Sequence, residues 1–249
     1  MISLDSLRYD VAVEAPTPHL DEIFRSYDAG PWRRVFAQST YTLPSHLSLL
    51  QGAIGPSNLD WEPVYDRRVC SFFKVALPWR AEQRALYEVP AAQNVVKGFE
   101  RQGYRTIGIG GVGWFNPAYE TSGFWKERFF QRFHWQPEFG EENPDSFVAQ
   151  LGVAERELCD RDGSPLFFFL NVSATHDPYR GEPASKEGQG RALQYVDRHF
   201  PRLIELLPKP CHVLLWSDHG DCFGEDGVWG HGFPHEKVLE VPMVHFVAT

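Results

Sequence analysis

Two nearly unbroken apolar runs, Pro165-Leu-Phe-Phe-Phe-Leu-Asn171 and Cys211-His-Val-Leu-Leu-Trp216, stand out from a chain in which apolar and polar positions otherwise alternate in short periods. Runs of this kind predict strands covered on both faces, as in a parallel sheet between helices. Met1-Ile-Ser-Leu4 reads as a strand ending at Asp5, Gly103–Gly110 as a strand fed by a glycine-terminated helix over 91–102, and Val241–Val247 as a last strand. Helical spacing marks 16–24, with Thr17 as cap and Pro18 in the first turn, and also the stretch from Pro44 to a stop at Gly52. It marks 145–160 too, and 191–207, whose stripe is Leu193, Val196, Phe200, Leu203, Ile204 and Leu207. Strands alternating with helices predict an α/β fold.

Three stretches fit this rhythm less well. Residues 53–90 give little periodic signal, with one possible strand at Val69–Ala76, and 181–190 reads as a polar loop. Residues 114–139 carry ten aromatic rings from Trp114 to Phe139, which suggests a small subdomain covering the sheet edge or a substrate wall. The glycines at 108, 110, 111 and 113 have the wrong spacing for a dinucleotide-binding turn.

At 249 residues, 43% hydrophobic and 23% charged, the chain is long enough for one large core, and a single domain over 1–249 is expected. A net charge of −9 argues against a nucleic-acid or anionic-membrane partner. Four widely spaced cysteines without a C-x-x-C, no leader before Leu4 and no apolar run long enough for a membrane span lead to the expectation of a soluble, cytoplasmic protein. The oligomeric state is left open.

Chemistry concentrates at the predicted strand ends, where α/β proteins place their sites. Asp5 follows the first strand, His176 follows 165–171, and Asp218-His219 with Gly220 follow 211–216. Thr42 precedes the helix that begins near Pro44, where backbone N–H groups and the positive helix end face an anion. Asp5, Thr42, Asp218 and His219 can form a mixed oxygen and nitrogen site, in which a divalent cation lowers the pKa of the Thr42 hydroxyl and polarises an electrophile. Zn or Mn suits two carboxylates and an imidazole best, with Mg or Ca as alternatives. His176 and His231 remain to bind oxygens or protonate a leaving group, and no acid is clearly placed to build a second cation site with them, so one ion is expected. The group transferred would be tetrahedral and anionic, and the substrate a small anionic ester.

The ordered motifs Ile2-Ser-Leu-Asp-Ser-Leu-Arg-Tyr-Asp10, Tyr41-Thr-Leu-Pro-Ser-His-Leu-Ser-Leu-Leu-Gln-Gly52, His176-Asp-Pro-Tyr179, Ser217-Asp-His-Gly-Asp221 and Val241-Pro-Met243 resemble those of sulfatase-like hydrolases in the alkaline phosphatase superfamily. The resemblance implies a three-layer sandwich, with a mixed, mostly parallel sheet flanked by helices. It implies metal ligation by Asp5, Asp218 and His219, attack by Thr42, and substrate contact by His176. Sulfatases carry a cysteine or serine, converted to formylglycine, where this chain has Thr42, and an arginine where it has His46. They carry a Lys and a His where it has Gly111 and Gly113. Gly227-Val-Trp-Gly-His-Gly-Phe-Pro234 is similar instead to phosphoethanolamine transferases of the same superfamily, which use a threonine nucleophile and a histidine where His231 lies. The expectation is therefore a metal-dependent hydrolase or transferase of phosphate or phosphonate esters through a covalent Thr42 intermediate, with His46, His176 and His231 around the substrate. The alternatives are a sulfuric ester hydrolase and a catalytically inactive metal-binding module. Most of the family's usual C-terminal subdomain is expected to be missing.

Overall fold

The computed structural model describes residues 1–52, 94–118, 125–159 and 163–249. A seven-stranded sheet runs in the order β2-β9-β6-β1-β5-β3-β4. Its strands are β1 Ile2–Leu4, β2 Arg33–Phe36, β3 Arg105–Ile109, β4 Arg132–His134, β5 Leu166–Val172, β6 Cys211–Trp216 and β9 Glu240–Ala248. Only β9 runs against the others, antiparallel to both β6 and β2. A two-stranded ribbon, β7 Cys222–Phe223 with β8 Trp229–Gly230, stands apart from the sheet.

Side chains alternate across the central strands and build two cores. On one face Phe168, Leu170 and Val172 of β5 with Val213 and Leu215 of β6 meet helices α1 Tyr9–Glu14, α2 Pro18–Ser26, α5 Ser146–Cys159 and α6 Lys186–Leu206. On the other, Phe167 and Phe169 with Trp216 meet α3 Thr42–Gln51, α4 Val95–Arg101 and the aromatic segment. A short α7, Glu236–Leu239, leads into β9. The result is the expected sandwich of helices, mixed mostly parallel sheet and helices.

Several elements differ from the sequence expectation for identifiable reasons. The aromatic segment is not a separate subdomain: Phe115, Trp125, Phe129 and Phe130 join the second core, and Arg132–His134 is the edge strand of the main sheet. The glycine-rich strand explains why, since a Cβ at Gly108 would lie 2.6 Å from the Phe133 ring and one at Gly110 would lie 2.2 Å from Phe115 Cβ. Bare backbone lets the rings lie flat on the sheet. Helix α6 starts at Lys186, inside the stretch that reads as a loop, because Ser185 caps it by accepting from Gly188 N at 3.0 Å. A Cβ at Gly188 would sit 2.0 Å from Pro183 O, so this poor helix former is required there. Strand β2, with three of its four residues exposed, carries no apolar signal. The possible strand at 69–76 lies outside the described residues.

Candidate active site

Strands β1 and β6 end side by side, with Ser3 opposite Trp216, and β5 ends opposite β1, with Leu4 opposite Val172. The residues that follow, Asp5, Ser173–His176 and Ser217–His219, are thereby delivered to one edge of the sheet. After β1 the chain turns at Ser6 in the left-handed region, φ 59°, a conformation that costs a non-glycine residue energy and is held by contacts. Ser6 N donates to Asp218 Oδ1 at 3.2 Å and Ser6 Oγ to Asp5 Oδ1 at 3.2 Å, so the turn ties the two carboxylates together. Helix α3 brings Thr42 in as its first residue, two positions earlier than Pro44 suggests.

Asp5, Asp218 and His219 offer three ligand atoms all within 4.8 Å of one another, and all three residues are buried. His219 Nδ1 lies 3.0 Å from Gly220 O. A carbonyl only accepts, so Nδ1 carries the hydrogen and the Nε2 lone pair faces Asp5 Oδ1 and Asp218 Oδ2, each at 3.7 Å. Among the described residues Asp218 Oδ2 is buried without a hydrogen-bond donor, because His46 Nδ1, although 3.5 Å away, donates to Thr42 O at 2.8 Å. Burial, and then repulsion from Asp218, pushes the Asp5 carboxyl above its ordinary range, and burial does the same to Asp218. Burial holds His219 neutral, with its pKa lowered to about 3. Two crowded carboxylates, an orphaned oxygen and an aimed imidazole lone pair fit a divalent cation in chemistry and spacing.

Thr42 Oγ1 lies in this cluster, 3.2 Å from His219 Nε2 and 3.4 Å from Asp5 Oδ1. Asn171 Nδ2 donates to the other oxygen of Asp5 at 2.9 Å. His176 is partly exposed, and its Nδ1 donates to Asp177 O at 2.6 Å, which leaves Nε2 free. Burial disfavours its charge, but Asp5 and Asp221 outweigh that and its pKa is pushed up to about 9. His231 lies tilted against His219 and edge-on to His176, with ring centres 4.3 and 5.4 Å apart.

The sequence-derived residues Asp5, Thr42, Asp218, His219, His176 and His231 thus share one edge of the sheet. His46 occupies a different place from the substrate contact expected of it: its side chain is buried beside Asp218 in a box of Phe115, Phe169 and Trp216. There it can position Asp218 and Thr42, while its Nε2 meets no polar partner among the described residues. The residue that sequence reasoning missed is Asp221, buried between Tyr179 and His231. It stands in the same motif as Asp218, but nothing in the motif says what it touches.

The profile of the sulfatase family matches residues 90–248. The chain belongs to the sulfatase family. The solved structures that resemble it share its alkaline-phosphatase-like fold. One is the C-terminal periplasmic domain of EcEptC from Escherichia coli in complex with Zn, at a TM-score of 0.64 and 13% identity over 99% of this chain and 71% of that one. Another is the soluble domain of lipooligosaccharide phosphoethanolamine transferase A from Neisseria meningitidis, at 0.65 and 13% over 100% and 75%. A third is the lipoteichoic acid synthase LtaP from Listeria monocytogenes, at 0.60 and 12% over 98% and 64%. No curated protein matches the sequence. Among the described residues no helix is long and apolar enough to cross a membrane.

Proposed function

We propose that this member of the family is a cation-dependent hydrolase or transferase of phosphate or phosphonate esters that works through a covalent Thr42 intermediate. The observation that carries the reading is the Thr42 hydroxyl, buried at a helix N-terminus and in contact with two of the three candidate ligands. Asp5, Asp218 and His219 would hold the cation, which would draw charge from the oxygens of the transferring group and favour an ionised nucleophile. Zn or Mn fits the ligand set best, and an EcEptC structure described as a complex with Zn accords with that. Thr42 Oγ1 forms a bond to phosphorus as the ester bond breaks. Its proton is given up to solvent before attack, because the cation would favour the ionised hydroxyl. A protonated imidazole of His176 or His231 gives its proton to the departing oxygen, and water, or another alcohol, then releases the group and restores Thr42.

Family membership favours a second reading, sulfate ester hydrolysis, but threonine cannot give the formylglycine aldehyde. A side chain at 111 would also collide with Asn171, since a Cβ there lies 2.5 Å from Asn171 O and 2.7 Å from its Oδ1. Matched aryl phosphate monoester, phosphate diester, phosphonate and sulfate substrates, assayed with Zn, Mn, Mg and Ca, separate the readings. The expected result is cation-dependent turnover of at least one phosphorus ester well above the sulfate; preference for the sulfate would reverse the order, and no turnover of any ester would leave an inactive metal-binding module.

A further inference from the structure

Asp5 and Asp218 each present one oxygen to the candidate cation site and have the other engaged by nitrogen donors. In Asp218 the engaged atom is Oδ1, which accepts from Ser6 N at 3.2 Å and from His219 N at 3.1 Å, while Oδ2 faces His219 Nε2. In Asp5 it is Oδ2, which accepts from Asn171 Nδ2 at 2.9 Å, while Oδ1 faces Thr42 Oγ1 at 3.4 Å and His219 Nε2 at 3.7 Å. Backbone donors hold the first carboxylate, and a side chain holds the second. That side chain is itself held. Asn171, fully buried, is next to last in β5 and lies opposite Ser3 of β1. Its Oδ1 accepts from Val112 N at 3.3 Å, and because an N–H only donates, this contact settles which end of the amide faces Asp5. Its backbone O accepts from Gln150 Nε2 at 2.6 Å, and Gly111 leaves it room, since a Cβ there would lie 2.7 Å from Asn171 Oδ1.

We infer that Asn171 is a positioning residue that keeps Asp5 a one-oxygen ligand and thereby sets the coordination number of the bound ion. This rests on the reading of Asp5, Asp218 and His219 as cation ligands and does not need the Thr42 reaction. A carboxylate chelates one ion through both oxygens only when both can turn to it, and a tether on Oδ2 opposes that turn. Among the described residues the site then offers one oxygen from Asp5, one from Asp218, the His219 Nε2 lone pair and the Thr42 hydroxyl. Such a set suits an ion that takes about four ligands, nitrogen among them, as Zn does. It is poor in oxygen for Mn, which prefers an octahedral oxygen site, and for Ca, which takes about six to eight oxygens. Zn outbinds Mn at most nitrogen and oxygen sites, so the mark of the role is a change in selectivity and geometry rather than the preference itself.

The test titrates Zn, by chelator competition, and Mn, by the paramagnetic resonance signal of the free ion, into wild type, Asn171→Ser, Asn171→Ala and Asp218→Ala. Losing an outer hydrogen bond to a ligand costs about 10–100-fold in affinity for the favoured metal, so Zn affinity should fall at least about 10-fold in both Asn171 variants. Mn affinity should hold or rise, so that the ratio of Zn to Mn affinity falls by at least the same factor. An equal loss for both ions, or an unchanged ratio, would overturn the inference, because a residue that only supported the fold would weaken both alike. Cobalt(II) gives a second reading that stands on the wild type alone, since it absorbs visible light strongly in a four-coordinate site and weakly in a six-coordinate one. Strong absorption in the wild type, weakened in the Asn171 variants, is expected; weak absorption in the wild type, or a spectrum that the variants leave unchanged, would overturn the inference. A wild type that binds no divalent ion, or an Asp218→Ala variant that binds as the wild type does, would instead overturn the cation reading and the role of Asn171 with it.

Discussion

At the scale of single residues, the site is a set of groups that destabilise one another until something joins them. Asp5 and Asp218 have folded-state pKa values above the ordinary range, so each carboxyl binds its proton more tightly folded than unfolded. In cation-free protein their contribution to stability is therefore present at low pH and is lost as pH rises through those raised values. A cation bound by the deprotonated pair removes that penalty. The melting-temperature gain from Zn or Mn should accordingly grow as pH rises through the raised carboxyl values, because the ion competes with protons for the carboxylates. Asp218→Ala should abolish the gain and lose about one equivalent of metal by elemental analysis; a gain independent of pH, or metal retained at wild-type stoichiometry, would place the ion elsewhere. Asp5 and the Asp218-His219 pair were legible because acids at the ends of apolar strands are conspicuous. Asp221 was not, since its role depends on a ribbon whose strands are two residues long, too short to show a period.

At the scale of elements, the close approaches decide what each segment tolerates. Gly111 follows β3 directly against the backbone of β5, and Asn171, which donates to Asp5, is the atom group in its way. Gly111→Ala should lower stability by about 1–3 kcal/mol, as overpacking does. It should also weaken cation binding by shifting Asn171. Gly113→Ala, with no described residue within 4 Å of the added carbon, is the control and should change stability by less than about 0.5 kcal/mol. Equal effects from the two would mean that the contact with Asn171 is unimportant. The same approaches explain which elements could be read in advance. Strand β5 and the second half of β6 are largely buried and so write apolar runs, whereas edge strand β2 has little buried surface to announce it. Helix α6 hid its first turn behind Gly188 and Gly190, which read as loop, although the first of them is required by its close approach to Pro183 O.

At the scale of the whole molecule, the parallel sheet is what makes a small constellation possible. Six strands pointing one way send their following loops to a common edge, and β1 at the centre lies between β5 and β6, which deliver His176 and the Asp218-His219 pair. Helix α3 on one face supplies Thr42 to the same edge, while α6 on the other, through Gln189 Nε2 to Ser6 O at 2.8 Å, supports the turn after Asp5. The fold class followed from the alternation of strands and helices, and the family from ordered motifs spread along the chain. Contacts between residues far apart in sequence, such as His46 against Asp218 and Asp221 against Tyr179, became visible only in three dimensions. In the proposed reaction the group in transit is carried by Thr42. Its most direct test is acid quenching of the cation-loaded protein during turnover of a phosphate ester, followed by peptide mass analysis. One phosphoryl group is expected on Thr42, absent after cation removal and in Thr42→Ala, whose turnover should fall at least about 1,000-fold while its melting temperature holds. A phosphoryl group found on another residue, or undiminished turnover by Thr42→Ala, would contradict it.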